Sequence, residues 1–313
     1  MKTLIVLTIF VLADCKNQGS RYGFFRSMER ESSDGDTRRV FGGEAADLSA
    51  YPAAAALLDR YWTTRCSGAV IASHWALTAA HCVTSRVAYI KYNTRHPTST
   101  DGDHSPVLYL YRHPNYKVVQ EDEGRGMDVT LLHHDLGLLR SRDPMILRTP
   151  IEPISSLRKF NPSQLDKQEV MVMGFGRTET VLRSSGEELF AVKLQLTFCE
   201  RGAWFHCVCG MSSASKTERG VCSGDSGGPV VYRGIQIGVT SMGPLECATS
   251  RSTPAEGATS VFTTLFNYVD LINATMTDTE NTLKKRAMMS GTVTSMVRLQ
   301  LSMIFMVILV LLV

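Results

Sequence analysis

The sequence predicts an all-β protein. Between residues 40 and 274 short apolar runs follow one another, broken by turn residues, as in a sandwich or barrel. A single stretch near the end of that region carries helical spacing. The composition is that of a globular chain. Its 313 residues, 44% hydrophobic and 20% charged, leave room for one large domain or two small ones.

The chain opens with Met1-Lys2, an apolar run over residues 3–12, and Ala13 with Val11 two positions before it. A basic start, a short apolar segment and small residues at a cut site describe a secretory signal peptide over residues 1–13. The run is too short to span a bilayer. Residues 14–39 are polar, mixed in charge and aperiodic, and read as a mobile leader. That leader ends in Arg38-Arg39, directly before Val40-Phe41-Gly42-Gly43. A basic pair in that position is a weak processing signal taken alone.

The expected strands are 53–58, 68–72, 75–79, 87–92, 107–111, 129–132, 170–175, 192–196, 230–232, 235–240 and 260–264. Phe266, Val269, Asp270, Ile272 and Asn273 then follow a helical spacing, and the domain closes at residue 274. Asn273-Ala274-Thr275 is an N-glycosylation acceptor pattern. Residues 275–298 are polar and linker-like. Residues 299–313 are apolar except for Gln300 and Ser302. That length falls short of the ~20 residues of a spanning helix. With Ser290, Gly291 and Thr292 upstream, the order fits a glycolipid-anchor signal whose tail is removed. A retained membrane anchor starting near Met296 is the rival.

Both ends therefore point to the secretory pathway and a place at the cell surface or outside the cell. Secretion makes the eight cysteines disulfide candidates. A net charge of +3 gives no argument for nucleic acid. No cofactor or metal is expected. A zinc site from Cys199, His206, Cys207 and Cys209 is the less favoured reading in a secreted chain. His133-His134, near Asp135, would point to opposite faces of an extended segment and read as structural or surface residues, not as a metal cluster.

Three stretches carry chemistry. In Cys222-Ser223-Gly224-Asp225-Ser226-Gly227-Gly228-Pro229 a serine stands among glycines, on a backbone that must turn tightly and let another molecule approach. Serine needs a general base before it is a useful nucleophile. Leu77-Thr78-Ala79-Ala80-His81-Cys82 supplies a histidine after an apolar strand, and imidazole titrates near neutral pH. Met127-Asp128-Val129-Thr130-Leu131-Leu132 puts a carboxylate at the head of an apolar run, where it would need a partner such as the second ring nitrogen of a histidine. Asp101, Asp103, Asp122 and Asp135 lie in polar or His-flanked surroundings and read as solvated loop charges.

Taken in order, these stretches resemble the chymotrypsin-type (trypsin-like) serine endopeptidases. Thr78-Ala79-Ala80-His81-Cys82 matches the family's histidine motif, and Gly224-Asp225-Ser226-Gly227-Gly228-Pro229 its serine motif. Asp128-Val129-Thr130-Leu131-Leu132 is similar to its Asp-Ile-Ala-Leu-Leu motif. Arg39-Val40-Phe41-Gly42-Gly43 resembles its activation site, with Phe41 where an aliphatic residue is usual. The chain order His, Asp, Ser separates this family from other triad folds.

The resemblance implies two packed six-stranded antiparallel β-barrels with a C-terminal helix, over residues 40–274. It implies Ser226 as nucleophile, His81 as base, Asp128 as the residue that orients the ring, and the N–H groups of Gly224 and Ser226 as the oxyanion hole. Residues 14–39 become a propeptide removed after Arg39 by an Arg-specific protease, and the freed Val40 amine is expected to pair with Asp225. Expected partners are peptide or protein substrates, protein inhibitors and, through the tail, a membrane. A catalytically inactive relative that binds a partner at the cell surface is the alternative.

Aligned from Ser226, the primary pocket has its base at Gly220 and its walls at Gly243 and Ser260. No carboxylate stands there, so large apolar or aromatic side chains are expected before the cut bond. Ser241 and Gly243 would pair with the substrate backbone as an added strand. Met242 stands between them where the family usually has Trp. Expected disulfides are Cys66–Cys82 and Cys222–Cys247, with Cys199 joined to Cys207 or, alternatively, to Cys209. Cys15 is left without an assigned partner.

Overall fold

The computed structural model describes residues 43–122, 127–176, 188–213, 220–244, 259–277 and 284–287. The signal segment, the leader, the bond after Arg39 and the apolar tail lie outside the described residues.

In chain order the first strands are β1 (Glu44–Ala45), β2 (Ala54–Leu58), β3 (Thr64–Ala72), β4 (Trp75–Thr78), β5 (Tyr89–Tyr92) and β6 (Asp103–Arg112). There follow β7 (Lys117–Asp122), β8 (Met127–His133), β9 (Gly137–Ser141), β10 (Glu169–Gly174), β11 (Phe190–Thr197) and β12 (Trp204–Phe205). The last are β13 (Cys207–Met211), β14 (Pro229–Tyr232), β15 (Ile235–Met242), β16 (Ser260–Thr264) and, after helix α1 (Val269–Met276), β17 (Lys284–Ala287).

Two antiparallel barrels result. In the first, β6, β5, β2, β3, β4 and β9 lie in that order and the pairing of β6 with β9 closes the ring, with β17 added outside β6. In the second, β11, β10, β14, β15, β16 and β13 are closed by β11 on β13, with β1 outside β11. Closure removes the open edges that an apolar sheet would otherwise expose. A small third sheet joins β12, β8 and β7, with β12 parallel to β8.

The alternation of β2 shows how the barrels meet. Ala55 and Leu57 point into the first barrel's core with Val70, Ile90 and Leu139. Ala54, Ala56 and Leu58 face the other way, against Met173, Phe175 and Leu189. Side chains alternate across a strand, so a strand buried on both faces reads as an unbroken apolar run. Alanines at 54 and 56 let the backbone of one barrel come close to the other. Full burial of each leucine is worth about 2–3 kcal/mol.

All eleven expected strands recur, six of them with longer ends, while β2, β4 and β5 are shorter than expected. The sequence did not mark β1, β7, β9, β12, β13 or β17. The turn between β14 and β15 holds Arg233 and Gly234 at φ 49° and 77°, the two left-handed residues of a tight hairpin. Helix α1 buries Val269 and Ile272 against Trp75, Leu77 and Leu138, so it covers the first barrel although it follows the second in sequence. It runs to Met276, past the domain end expected at residue 274, and Asn273 on it is exposed. Lys284–Ala287, expected within a linker, is strand β17.

Candidate active site

His81 lies in a short 3-10 turn after β4, at the mouth of the first barrel. Its partner is Asp135. The carboxylate accepts the His81 backbone N–H at 3.0 Å through Oδ1 and meets ring Nδ1 at 2.8 Å through Oδ2. Asp135 is 1% exposed, so both oxygens rely on these bonds in a dry setting. Burial pulls the imidazole pKa down, but the Asp135 charge and hydrogen bond outweigh it and the ring ends above 6.5. A carboxylate on Nδ1 fixes the tautomer that leaves Nε2 free to accept a proton.

Asp128 is not at this position, which corrects the sequence expectation. It lies on β8, in register with Glu121 of β7, and forms an ion pair with Arg201 at the surface. The guanidinium of Arg201 lies over Trp204, whose indole N–H donates to the Val129 carbonyl at 3.1 Å. The reason is topological. β7 and β8 form a hairpin that joins β12, and the chain returns to the first barrel only after His134, which turns it with φ 51°. The next residue is Asp135. Asp135-Leu136-Gly137-Leu138-Leu139 repeats the pattern of an acid ahead of paired leucines, behind the histidines that make Asp135 look like a loop charge.

The Ser226 segment lies against the His81 segment. Ser226 is half-buried, and its carbonyl accepts Ser67 N–H at 2.8 Å across the barrel interface. Gly227 N–H donates to the Thr240 carbonyl at 2.7 Å. Gly227 has φ 80°, and a Cβ on it would stand 2.0 Å from Thr78 Oγ1, so no other residue fits. Gly224 also takes a left-handed conformation, φ 100°.

Asp225 points away from this surface into the protein and is 1% exposed. It accepts Gly176 N–H at 2.9 Å and Cys222 N–H at 2.8 Å. Among the described residues no cation pairs with it. Burial pushes its pKa up to about 7 against the pull of the two N–H groups. A Cβ on Gly176 would lie 2.5 Å from the Asp225 carboxyl carbon, so that glycine makes room for the acid.

Gly220, Val221, Gly243, Pro244 and Ser260, the expected pocket residues and their neighbours, come together. Val221 N–H donates to Ser260 Oγ at 3.1 Å, and a Cβ on Gly220 would meet that oxygen at 3.3 Å. Gly243 packs so closely on the Val221 carbonyl that a Cβ there would stand 2.1 Å from it. No carboxylate is among these lining residues. Ser241 is buried, its hydroxyl 2.8 Å from Thr263 Oγ1.

The protein-family model for trypsin matches residues 40–272. The chain belongs to the trypsin family. Human kallikrein-2 is 29% identical over 227 residues, covering 67% of this chain and 81% of that protein. Human kallikrein-14 is 29% identical over 258 residues, covering 78% and 86%. Among solved structures, neuropsin, a serine protease of mouse brain, superposes with a TM-score of 0.60 at 24% identity, over 75% of this chain and 98% of that one. Membership makes the chain a serine endopeptidase by class, and the two closed barrels are the fold of that family.

The cysteines of this trypsin-family chain follow the expectation in part. Cys66 and Cys82 are joined, as expected, with Cα atoms 6.1 Å apart. Cys199 is joined to Cys209, not to Cys207. Both candidates lie on β13 two residues apart, hence on one face, and spacing alone does not choose between them. Cys222 is disulfide-bonded, while its expected partner Cys247 lies outside the described residues. Cys207 remains a thiol among the described residues, and burial, with the Asp135 charge behind it, pushes its pKa up to about 12.

The histidine pair has a structural use. His134 stacks on His113 with ring centres 4.2 Å apart and planes within 2°, and its Nδ1 is 2.8 Å from the Tyr268 hydroxyl. Burial, together with His134 and His206 nearby, lowers the His113 pKa to about 4, so this stack is uncharged at neutral pH.

Proposed function

We propose that the chain is a secreted serine endopeptidase made as a zymogen, with Ser226, His81 and Asp135 as its triad. The observation that carries this reading is the 2.8 Å contact between His81 Nδ1 and the buried Asp135, made where the Ser226 turn meets the His81 segment. His81 Nε2 takes the proton of Ser226 as Oγ bonds to the substrate carbonyl carbon. The carbonyl oxygen becomes an oxyanion facing the N–H groups of Gly224 and Ser226. Collapse breaks the peptide bond, His81 gives the proton to the leaving amine, and water repeats the sequence on the acyl-enzyme. Asp135 stabilises the imidazolium in both halves.

Cleavage after Arg39 frees the Val40 amine, and a buried acid without a cation, Asp225, supports that amine as its partner. An uncharged lining at Gly220, Gly243 and Ser260 supports apolar side chains before the cut bond over Lys or Arg. The apolar run at residues 3–12, the tail at 299–313 and the exposed Asn273 support export, membrane attachment and glycosylation. A fluorophosphonate probe on Arg39-cleaved protein tests the reading. Labelling should vanish in Ser226→Ala and in the uncut chain, and an unlabelled cleaved parent would favour a binding role instead.

A further inference from the structure

We propose that Ser67 is a positioning residue that holds the oxyanion hole and ties it to the Asp225 pocket; this rests on the serine-peptidase reading above. Ser67 belongs to β3 of the first barrel, yet its bonds go to the second. Its side chain is fully buried, at 0% exposure. The hydroxyl accepts Phe175 N–H at 2.9 Å and donates its one proton to the Gly224 carbonyl at 2.8 Å. Its backbone N–H donates to the Ser226 carbonyl at 2.8 Å. Thr78 Oγ1 donates to the Ser67 carbonyl at 2.9 Å, which fixes the residue from the His81 side.

Both residues whose N–H groups face the oxyanion are therefore held at their carbonyls by one serine. Gly224 has the greatest need of such a hold, because a glycine at φ 100° has no side chain to lock it. The relay has a second end. Phe175, which donates to Ser67, is followed by Gly176, which donates to Asp225 Oδ1 at 2.9 Å. A shift of the 175–176 segment when Asp225 gains its partner thus reaches Gly224 through one hydroxyl. Without that hydroxyl, the Phe175 N–H and Gly224 carbonyl lose their shared partner in a dry site, and the Gly224 donor loses its aim.

The test is Ser67→Ala in Arg39-cleaved protein, with rates expressed per titrated active site. We expect kcat to fall about tenfold, less than the 10²–10³ seen when an oxyanion donor itself is removed. KM should stay within about twofold of the parent, since the substrate's ground state does not use the hole. Affinity for a peptide boronic acid, which forms a tetrahedral adduct on the serine, should fall in proportion to kcat. Affinity for a product-like peptide acid should not change. If Ser67→Ala does not fold, Ser67→Gly removes the same hydroxyl and is read in the same way. Unchanged kcat and boronate affinity overturn the inference, and so does equal weakening of boronate and product peptide, the mark of general loosening. A cleaved parent that hydrolyses no peptide overturns the peptidase reading itself; an active parent with an unaffected variant overturns Ser67 alone.

Discussion

Asp135 holds His81 at two points, the backbone N–H and ring Nδ1, so one carboxylate sets both the position and the tautomer of the imidazole. Asp135→Asn should lower kcat by about 10⁴, the loss known for a triad whose imidazole is left in the wrong tautomer. Asp128→Asn, which only breaks a surface pair with Arg201, should leave kcat within about twofold. Steady-state kinetics on both variants separates the two acids, and the reverse order of effects would sink the assignment. The pH profile gives a second check. His81 must be neutral to accept a proton, and its pKa lies above 6.5, so kcat/KM should fall as pH drops through that raised value. In Asp135→Asn the residual activity should keep its acid limb at lower pH, because the raising charge has gone.

At the level of elements, the sequence exposed the strands that carry longer apolar runs and hid those whose apolar runs are short or broken, β9 among them although Leu138 and Leu139 bury both its faces. β7 reads Lys-Val-Val-Gln-Glu-Asp and β13 reads Cys-Val-Cys-Gly-Met, and neither contains an apolar run long enough to mark a strand. The same limit hides which acid meets His81. Asp128 and Asp135 each precede a leucine pair, and only the β7–β8 hairpin, invisible in the pattern, separates them in space. Ser67 left no signal, since a serine beside a cysteine has no period or motif; its role comes entirely from the other barrel. The helix was legible through its spacing, but its partner was not. Ile272→Ala should cost about 2–5 kcal/mol, because Ile272 is fully buried against the first barrel. Urea denaturation of the variant measures this, and a loss below 1 kcal/mol would mean that the helix is not docked as described.

The whole molecule carries in Asp225 a buried acid that no cation pairs with among the described residues, and on the proposed zymogen reading its state depends on whether the chain has been cut. Burial pushes the folded value of Asp225 up to about 7, against its ordinary 3.8. Between those values the folded state binds the extra proton, so stability falls as pH rises, by on the order of 4 kcal/mol in full. Thermal unfolding of the uncut chain between pH 4 and 7.5 should show this slope, and Asp225→Asn should flatten it. After cleavage, pairing with the Val40 amine should hold the acid ionised and remove the slope as well. Identical profiles for the uncut parent and Asp225→Asn would count against a lone acid in that pocket.

Cys207 stands on β13 at its seam with β16, in register with Thr263. Its thiol, pushed up to about 12, holds almost no thiolate at neutral pH and is a poor nucleophile while the barrel is shut. The seam therefore carries its own chemical stopwatch. Alkylation of Cys207, followed by mass spectrometry of the peptide that bears it, should proceed only as fast as β13 and β16 part. In increasing urea it should share its midpoint with global unfolding. Rapid labelling in native buffer would show instead that this seam breathes while the rest of the barrel stays closed.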